Sequence, residues 1–309
     1  MLLRLAGNAL WLGRYLERSE NLARLVGAVQ GMTLTPEYRG RVEGPWLDAL
    51  AVVGGLKEFT AHHPLEPDSA AAWLLTDRTH YSSLFSNIRA ARDNARTARH
   101  LLTDELWEAI NGTWLEIQNI DATNLPDRGI AVTCAWAVGR CQQIRGAADD
   151  LLRDTLPQVI LLGQSLERSD YVSRLLSVFL RGDMAVTTTP PEPGTIAHRR
   201  WETLLEAGAL LETYRRSHTA HIDPVQALTL VLAHPTSPRS LVVNARRTLS
   251  ALDGLSGPHH VPTATQEALQ ILVDHLESLP PFGADLPGYL LKLGQLADAV
   301  GLEASKILD

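Results

Sequence analysis

A nine-residue block near the start of the chain returns 150 positions later, and no other feature limits the possible folds so tightly. Leu12-Gly13-Arg14-Tyr15-Leu16-Glu17-Arg18-Ser19-Glu20 comes back as Leu162-Gly163-Gln164-Ser165-Leu166-Glu167-Arg168-Ser169-Asp170, and Arg24-Leu25 as Arg174-Leu175. Further along, Trp46-Leu47-Asp48-Ala49-Leu50 resembles Trp201-Glu202-Thr203-Leu204-Leu205, and Ser83-Leu84, Asn87 and Arg89 match Ser240-Leu241, Asn244 and Arg246. One match can arise by chance, but four in the same order argue for duplication. The expectation is one domain over 1–309 made of two pseudo-symmetric halves, 1–155 and 156–309.

Between turn signals nearly every segment carries a 3.6-residue apolar period, and β-branched alternation is scarce. The pattern predicts an all-α fold, a large bundle of about twelve helices at 2–30, 46–61, 67–76, 81–102, 104–121, 127–153, 156–181, 195–217, 223–233, 238–253, 263–279 and 286–307. Thr103 before Asp104 and Glu105 reads as an N-cap with acid in the first turn. Pro126 and Thr155 read as helix starts. Gly44-Pro45, Pro190 to Gly194, Gly254 to Pro258 and Pro280-Pro281 read as loops.

Apolar residues at 45% supply enough material for a sizeable core. The formal charge of −7 argues against nucleic acid, whose binding rests on neutralising phosphates. No stretch is long and apolar enough for a membrane span. Cys134 and Cys141 lie two helical turns apart, roughly 10 Å and beyond disulfide reach. They read as reduced core residues, which points to the cytoplasm. The basic residues are 25 Arg and 3 Lys, a bias that genome composition alone could produce.

On a helical wheel Leu5, Ala9, Leu12, Leu16, Ala23 and Val26 share one side of the first helix, and Arg14, Glu17, Asn21 and Arg24 share a polar arc. Arg18 falls among Trp11, Leu22 and Leu25, and Arg168 among Leu161, Val172 and Leu175. Such helices suit a central position, with each Arg partly buried. A buried guanidinium has to be paired, because desolvating it unpaired costs several kcal/mol. Glu17 and Glu167 are adjacent in sequence to those Args, so they point about 100° aside and cannot easily serve them. Packing the two copies together lets Arg18 meet Glu167 and Arg168 meet Glu17. Two readings remain open: an internal ion-pair clamp, or a pair of Args forking onto a ligand carboxylate or phosphate.

Arg89, Arg92, Arg96 and Arg99 line one face of a predicted helix. That face is either solvated and paired with Asp93, Glu105 and Glu108, or an anion-recognition surface extended by Arg78 and by Arg239 at a helix N-terminus. His218, His221 and Asp223 have only loose metal-ligand spacing, and His62-His63 and His259-His260 read as loop residues, so no metal site is expected. The seven Trp residues read as core. There is no Gly-rich phosphate loop, no Gly-x-Ser-x-Gly elbow, and no activating neighbour beside either Cys.

The run from Leu12 to Leu25 resembles the signature of the bacterial alpha-E family, helical proteins with a repeated Glu-Arg motif. Ala91-Arg92-Asp93-Asn94-Ala95-Arg96, Glu105 to Asn111, the second Glu-Arg copy and Pro238-Arg239-Ser240 carry the resemblance over nearly the whole chain. Gln164-Ser165, and Asp77 to Ser82 without an Asn-Pro turn, depart from it. Alpha-E proteins are typically encoded beside, or fused to, circularly permuted ATP-grasp ligases, often with a transglutaminase-like protein. The resemblance therefore implies a helical subunit that binds no cofactor itself, with ATP and Mg held by the ligase, in a peptide-modifying or amide-forming system. Its anionic peptide, amino-acid or acyl-phosphate-derived ligand is expected on Arg14, Arg18, Arg24, Arg168, Arg174, Arg92, Arg96 and Arg239. The alternative is an enzyme in its own right with Glu17 or Glu167 as general base, a role that a raised carboxyl pKa would suit.

Overall fold

The computed structural model describes residues 3–151, 155–180, 190–218, 221–255, 263–278 and 286–306. It is all-helical, with fifteen α-helices and no strand among the described residues. They are α1 (Leu3–Thr33), α2 (Glu43–Val52), α3 (Leu56–His62), α4 (Pro67–Thr76), α5 (Leu84–Thr97), α6 (Asp104–Ile117), α7 (Leu125–Arg128), α8 (Ile130–Ala148), α9 (Thr155–Phe179), α10 (Ile196–Ala207), α11 (Leu211–Ser217), α12 (Pro224–Leu232), α13 (Leu241–Leu255), α14 (Ala264–Glu277) and α15 (Leu286–Lys306).

The excess over the predicted twelve comes from three expected helices that each break once. The segment 127–153 divides at Gly129, whose φ is +88°. The segment 46–61 divides at Gly54 (φ +77°), and 195–217 divides at Ala209 (φ +58°). At the last two breaks the Schellman pattern is the same: Gly55 N–H donates to the Leu50 carbonyl at 2.9 Å and Leu210 N–H to the Leu205 carbonyl at 2.7 Å. A 3.6 period cannot register a one-residue left-handed stop, because the apolar face resumes almost in phase beyond it. Pro45, expected in a loop, lies within the first turn of α2, where its missing N–H costs nothing. His62 closes α3. Gly254 lies within α13, while Ser256 to Pro258, His259, His260, Pro280 and Pro281 lie outside the described residues.

The helix α1 runs through the middle of the bundle, packed chiefly on α9 and then on α5, α8 and α10. On its other sides α9 meets α13 and α15. Each half thus builds a four-helix array, α1-α5-α6-α8 and α9-α13-α14-α15, and the two arrays join through α1 and α9. Both central helices are apolar on most of their circumference because both are covered on most of it. Trp46 and Trp201 are fully buried at corresponding places. Trp11 is exposed instead of core, beside Tyr15.

The crossing of α1 and α9 is set by Gly13 and Gly163. A methyl group on Gly13 would overlap the Ile160 carbonyl oxygen and stand 3.2 Å from the Gln164 nitrogen. One on Gly163 would overlap the Leu10 carbonyl oxygen and stand 3.2 Å from the Arg14 nitrogen. Only glycine lets two backbones approach this closely. The neighbouring Glu-Arg segments are thereby held side by side.

Candidate functional site

Side chains of α1 and α9 reach across this crossing reciprocally. Arg18 donates from Nε to Glu167 Oε1 at 2.6 Å and from Nη2 to Oε2 at 2.9 Å. Arg168 donates from Nε to Glu17 Oε1 at 2.6 Å and from Nη2 to Oε2 at 2.7 Å. Both are bidentate forks, the strongest ion-pair geometry an Arg can make.

Beyond the forks the two ends differ. Arg168 also donates from Nη1 to Asn244 Oδ1 and to the Pro238 carbonyl, each at 3.1 Å, and is buried. Among the described residues Arg18 Nη1 has no acceptor and Asn87 Oδ1, the counterpart of the Asn244 acceptor, is buried without a partner; the Arg18 side chain is 22% exposed. Asn87 and Asn244 are otherwise anchored alike, since both donate to carbonyls at the starts of α5 and α13 (Ser82, and Ser240 with Pro238). These starts are capped by Ser83 and Ser240, whose hydroxyls accept from Ser86 N and Val243 N.

Around Glu167 stand Arg14 (Nε to Oε2, 3.0 Å), Arg18 and Arg174 (3.9 Å), with Arg174 also donating to Asp170 at 2.8 Å. Around Glu17 and Glu20 stand Arg168, Arg24 (2.8 Å to Glu20), Arg145 (on Glu20, and 3.6 Å from Glu17) and Arg239 (on Glu20, and 3.4 Å from Glu17). Seven guanidiniums thus share four carboxylates, a local surplus of three positive charges in a chain whose net charge is −7. The most deeply buried members are three of the carboxylates: Glu17 and Glu20 are 0% exposed and Glu167 1%, with Arg168 buried beside them and Asp170 partly exposed. The polar arc of Arg14, Glu17, Asn21 and Arg24 faces into the bundle, with Glu17 and Asn21 buried and the two Args one-fifth exposed.

The charges leave their mark on proton affinities. Burial alone would raise the Glu20 carboxyl, but Arg239, Arg145 and Arg24 hold it down to about 2. Glu167 also lies below the ordinary range: burial pushes it up, and the hydrogen bond and charge of Arg18 with the charges of Arg14 and Arg174 outweigh that push. A carboxylate this acidic does not have the raised pKa expected of a general base. Arg239 is held below its usual value by burial and by the nearby Arg168 and Arg24, and Arg247 by burial and by Arg168 and Arg145. Burial is the larger cause in both, whereas Arg18 and Arg168, likewise desolvated, are held above their usual value by the carboxylates they fork onto, Glu167 and Glu17.

Of the Args singled out in the sequence, Arg14, Arg18, Arg24, Arg168, Arg174 and Arg239 come together here. Arg92 and Arg96 do not: Arg92 donates to Asn111 at 3.2 Å and lies 3.5 Å from Asp93, and Arg96 is exposed on α5. Arg78 is spent on the Gln118 carbonyl and the Phe85 ring, and Arg99 on Asp104. Sequence reasoning missed Arg145, which arrives from α8 and has no signal in the repeat. It also passed over Glu20 as a site residue, although Glu20 stands one turn from both Glu17 and Arg24. Asp223 caps α12, His218 stacks on Tyr214, and no group of three or more His, Cys, Asp or Glu among the described residues could hold a metal. Cys134 and Cys141 are free and buried, with burial raising the Cys134 thiol to about 12. No helix among the described residues is long and apolar enough to cross a membrane.

The comparison that decides the family covers residues 1–303, which match the family Alpha-E, described as a predicted alpha-helical domain with a conserved ER motif. The chain belongs to the Alpha-E family. The Glu-Arg pairs of that motif are here Glu17-Arg18 and Glu167-Arg168, so in this Alpha-E chain the motif residues are those that interlock at the crossing. Comparison with curated proteins and with solved structures finds no match.

Proposed function

We propose that this Alpha-E protein is a helical binding subunit of an ATP-dependent amide-forming or peptide-modifying system, acting in the cytoplasm beside a circularly permuted ATP-grasp ligase. In this division of labour the ligase holds ATP and Mg and activates a carboxylate. The helical protein presents an anionic peptide, amino acid or acyl-phosphate-derived group. A transglutaminase-like protein is a further partner that the family resemblance implies. The two halves are read as copies of one ancestral unit whose Arg sites have diverged.

The observation that carries the reading is the surplus of guanidinium over carboxylate at the α1–α9 crossing. Holding partly buried guanidiniums in excess of their carboxylates costs free energy, and a bound anion lowers that cost. The diverged ends divide the work. Arg168, closed on Glu17, Asn244 and the Pro238 carbonyl, serves as the clamp. Arg14 and Arg18 are each about one-fifth exposed and serve as the anion donors, Arg14 with both terminal nitrogens unspent among the described residues and Arg18 with Nη1 alone. The acidic Glu167 speaks against the general-base alternative.

Two measurements test the reading. Millimolar inorganic phosphate, against chloride at equal ionic strength, is expected to raise the melting midpoint, as any ligand specific to the folded state does. Co-expression with the neighbouring ATP-grasp ligase is expected to give one joint peak on size exclusion. An unmoved midpoint together with two separate peaks would falsify the proposal.

A further inference from the structure

A cavity of about 220 Å³ opens beside Arg14, between α9, α13, α14 and α15. Its lining joins two chemistries. Leu166, Leu269, Leu272 and Val300 supply apolar surface, while Arg14, Asp170 and Asp298 supply one positive and two negative groups. An apolar cavity of about 150 Å³ admits benzene, and drug-sized ligands occupy roughly 300–1,000 Å³, so this space suits a molecule of a single amino acid's size.

The charged groups have capacity to spare. Arg14 is held in place by its Nε bond to Glu167, which leaves both terminal nitrogens of its fork without a hydrogen bond among the described residues. Asp298 is exposed and makes no ion pair among them. Asp170 pairs with Arg174, yet its carboxyl is pushed above the ordinary range by burial and by repulsion from Glu167, despite the pull of Arg174, Arg14 and Arg18. Such a carboxyl gains from an added cation. A guanidinium fork recognises a carboxylate, acidic side chains recognise an ammonium, and the leucines recognise hydrocarbon. Bundle cores commonly hold ligands between facing helices in this way.

We infer that this cavity binds a free α-amino acid with an aliphatic side chain, its carboxylate on Arg14, its ammonium on Asp170 and Asp298, and its side chain against the lining leucines. The inference rests on the anion-binding reading above only through Arg14, and it names the ligand class that the reading leaves general.

Calorimetric titration of the full chain with L-leucine, leucine amide, N-acetyl-leucine and L-glutamate tests it. Leucine is expected to bind, and the amide, the acetylated form and glutamate to bind at least about tenfold more weakly, since each loses a charge pair or the apolar fit. Asp298→Asn touches no ion pair among the described residues and is expected to weaken leucine about tenfold. Ala297→Phe, in the lining, is expected to abolish binding by filling the space, with an unchanged circular dichroism spectrum showing that the bundle persists. Equal affinity for leucine and its amide, leucine binding unaffected by either substitution, or no binding of leucine overturns the assignment. If phosphate still raises the melting midpoint and the ligase complex still forms, that failure belongs to the cavity alone. If those fail as well, the anion-binding reading falls with it.

Discussion

Glu17 is the residue on which the centre turns. It is fully buried, and Arg168, Arg239 and Arg145 all reach it. Removing one partner from a buried ionic network costs more than the network contributes, because the remaining charges keep their desolvation penalty. Glu17→Gln leaves four guanidiniums around Glu20 alone and is expected to destabilise the fold by about 3–5 kcal/mol in urea denaturation. Arg18→Met is expected to cost only about 1–2 kcal/mol, because Glu167 retains Arg14 and Arg174 and Arg18 is partly solvated. Equal costs for the two substitutions would contradict the division into clamp and donor. Acid sensitivity belongs to this scale too. The Glu20 carboxyl sits at about 2 in the folded chain and near 4.5 when free, so the unfolded chain takes up the proton first as pH falls. Its stabilisation, on the order of 3 kcal/mol, is fully present above about pH 5 and is lost between there and about pH 2. Denaturation midpoints followed through that window are expected to fall steeply in the wild type and less steeply in Glu20→Gln.

At the scale of the element, the crossing of α1 and α9 depends on two glycines in matching environments. A methyl on either would overlap a carbonyl oxygen of the other helix and push the helices apart. Overpacking of a close contact costs about 1–3 kcal/mol, and backbone cannot yield as a side chain does, so the upper end is expected. Because the two contacts are geometrically alike, Gly13→Ala and Gly163→Ala are expected to cost the same within error, and a clear difference would show the crossing to be asymmetric. The matching helix stops give the opposite case. Ala209 holds the left-handed conformation that Gly54 holds in the first half. The strain of about 1–2 kcal/mol in a left-handed alanine exceeds the entropy glycine gives up, so Ala209→Gly is expected to raise stability by roughly 0.5–1 kcal/mol. Thermal melts of the single variant check it.

For the molecule as a whole, each half contributes one of the two central helices, and each central helix finds its largest neighbour in the other half. Separated, a half exposes the apolar side of α1 or α9 together with unpaired Glu and Arg. Fragments cut between 151 and 155 are therefore expected to be unfolded alone by circular dichroism and to regain helix on mixing. Two independently folded fragments would overturn the single-domain reading.

How much of this was legible before folding follows from the reach of each interaction. Periodicity determined the helical class, and the returning Glu-Arg block determined which segments to set against one another. Both are local records of a helix and what it buries. The pairing of Arg18 with Glu167 and of Arg168 with Glu17 could be argued from the wheel, since neighbours in sequence point apart and each charge needs a partner elsewhere. The breaks at Gly54 and Ala209 escaped, because a single left-handed residue leaves the apolar period almost undisturbed. The arrival of Arg145 from α8, the withdrawal of Arg92 and Arg96, and the burial of an arc that looks polar on paper were decided by tertiary packing alone. The reason is electrostatic: a charged side chain carries no mark of whether water or a distant guanidinium will solvate it, and only the assembled helices settle which of the two is near.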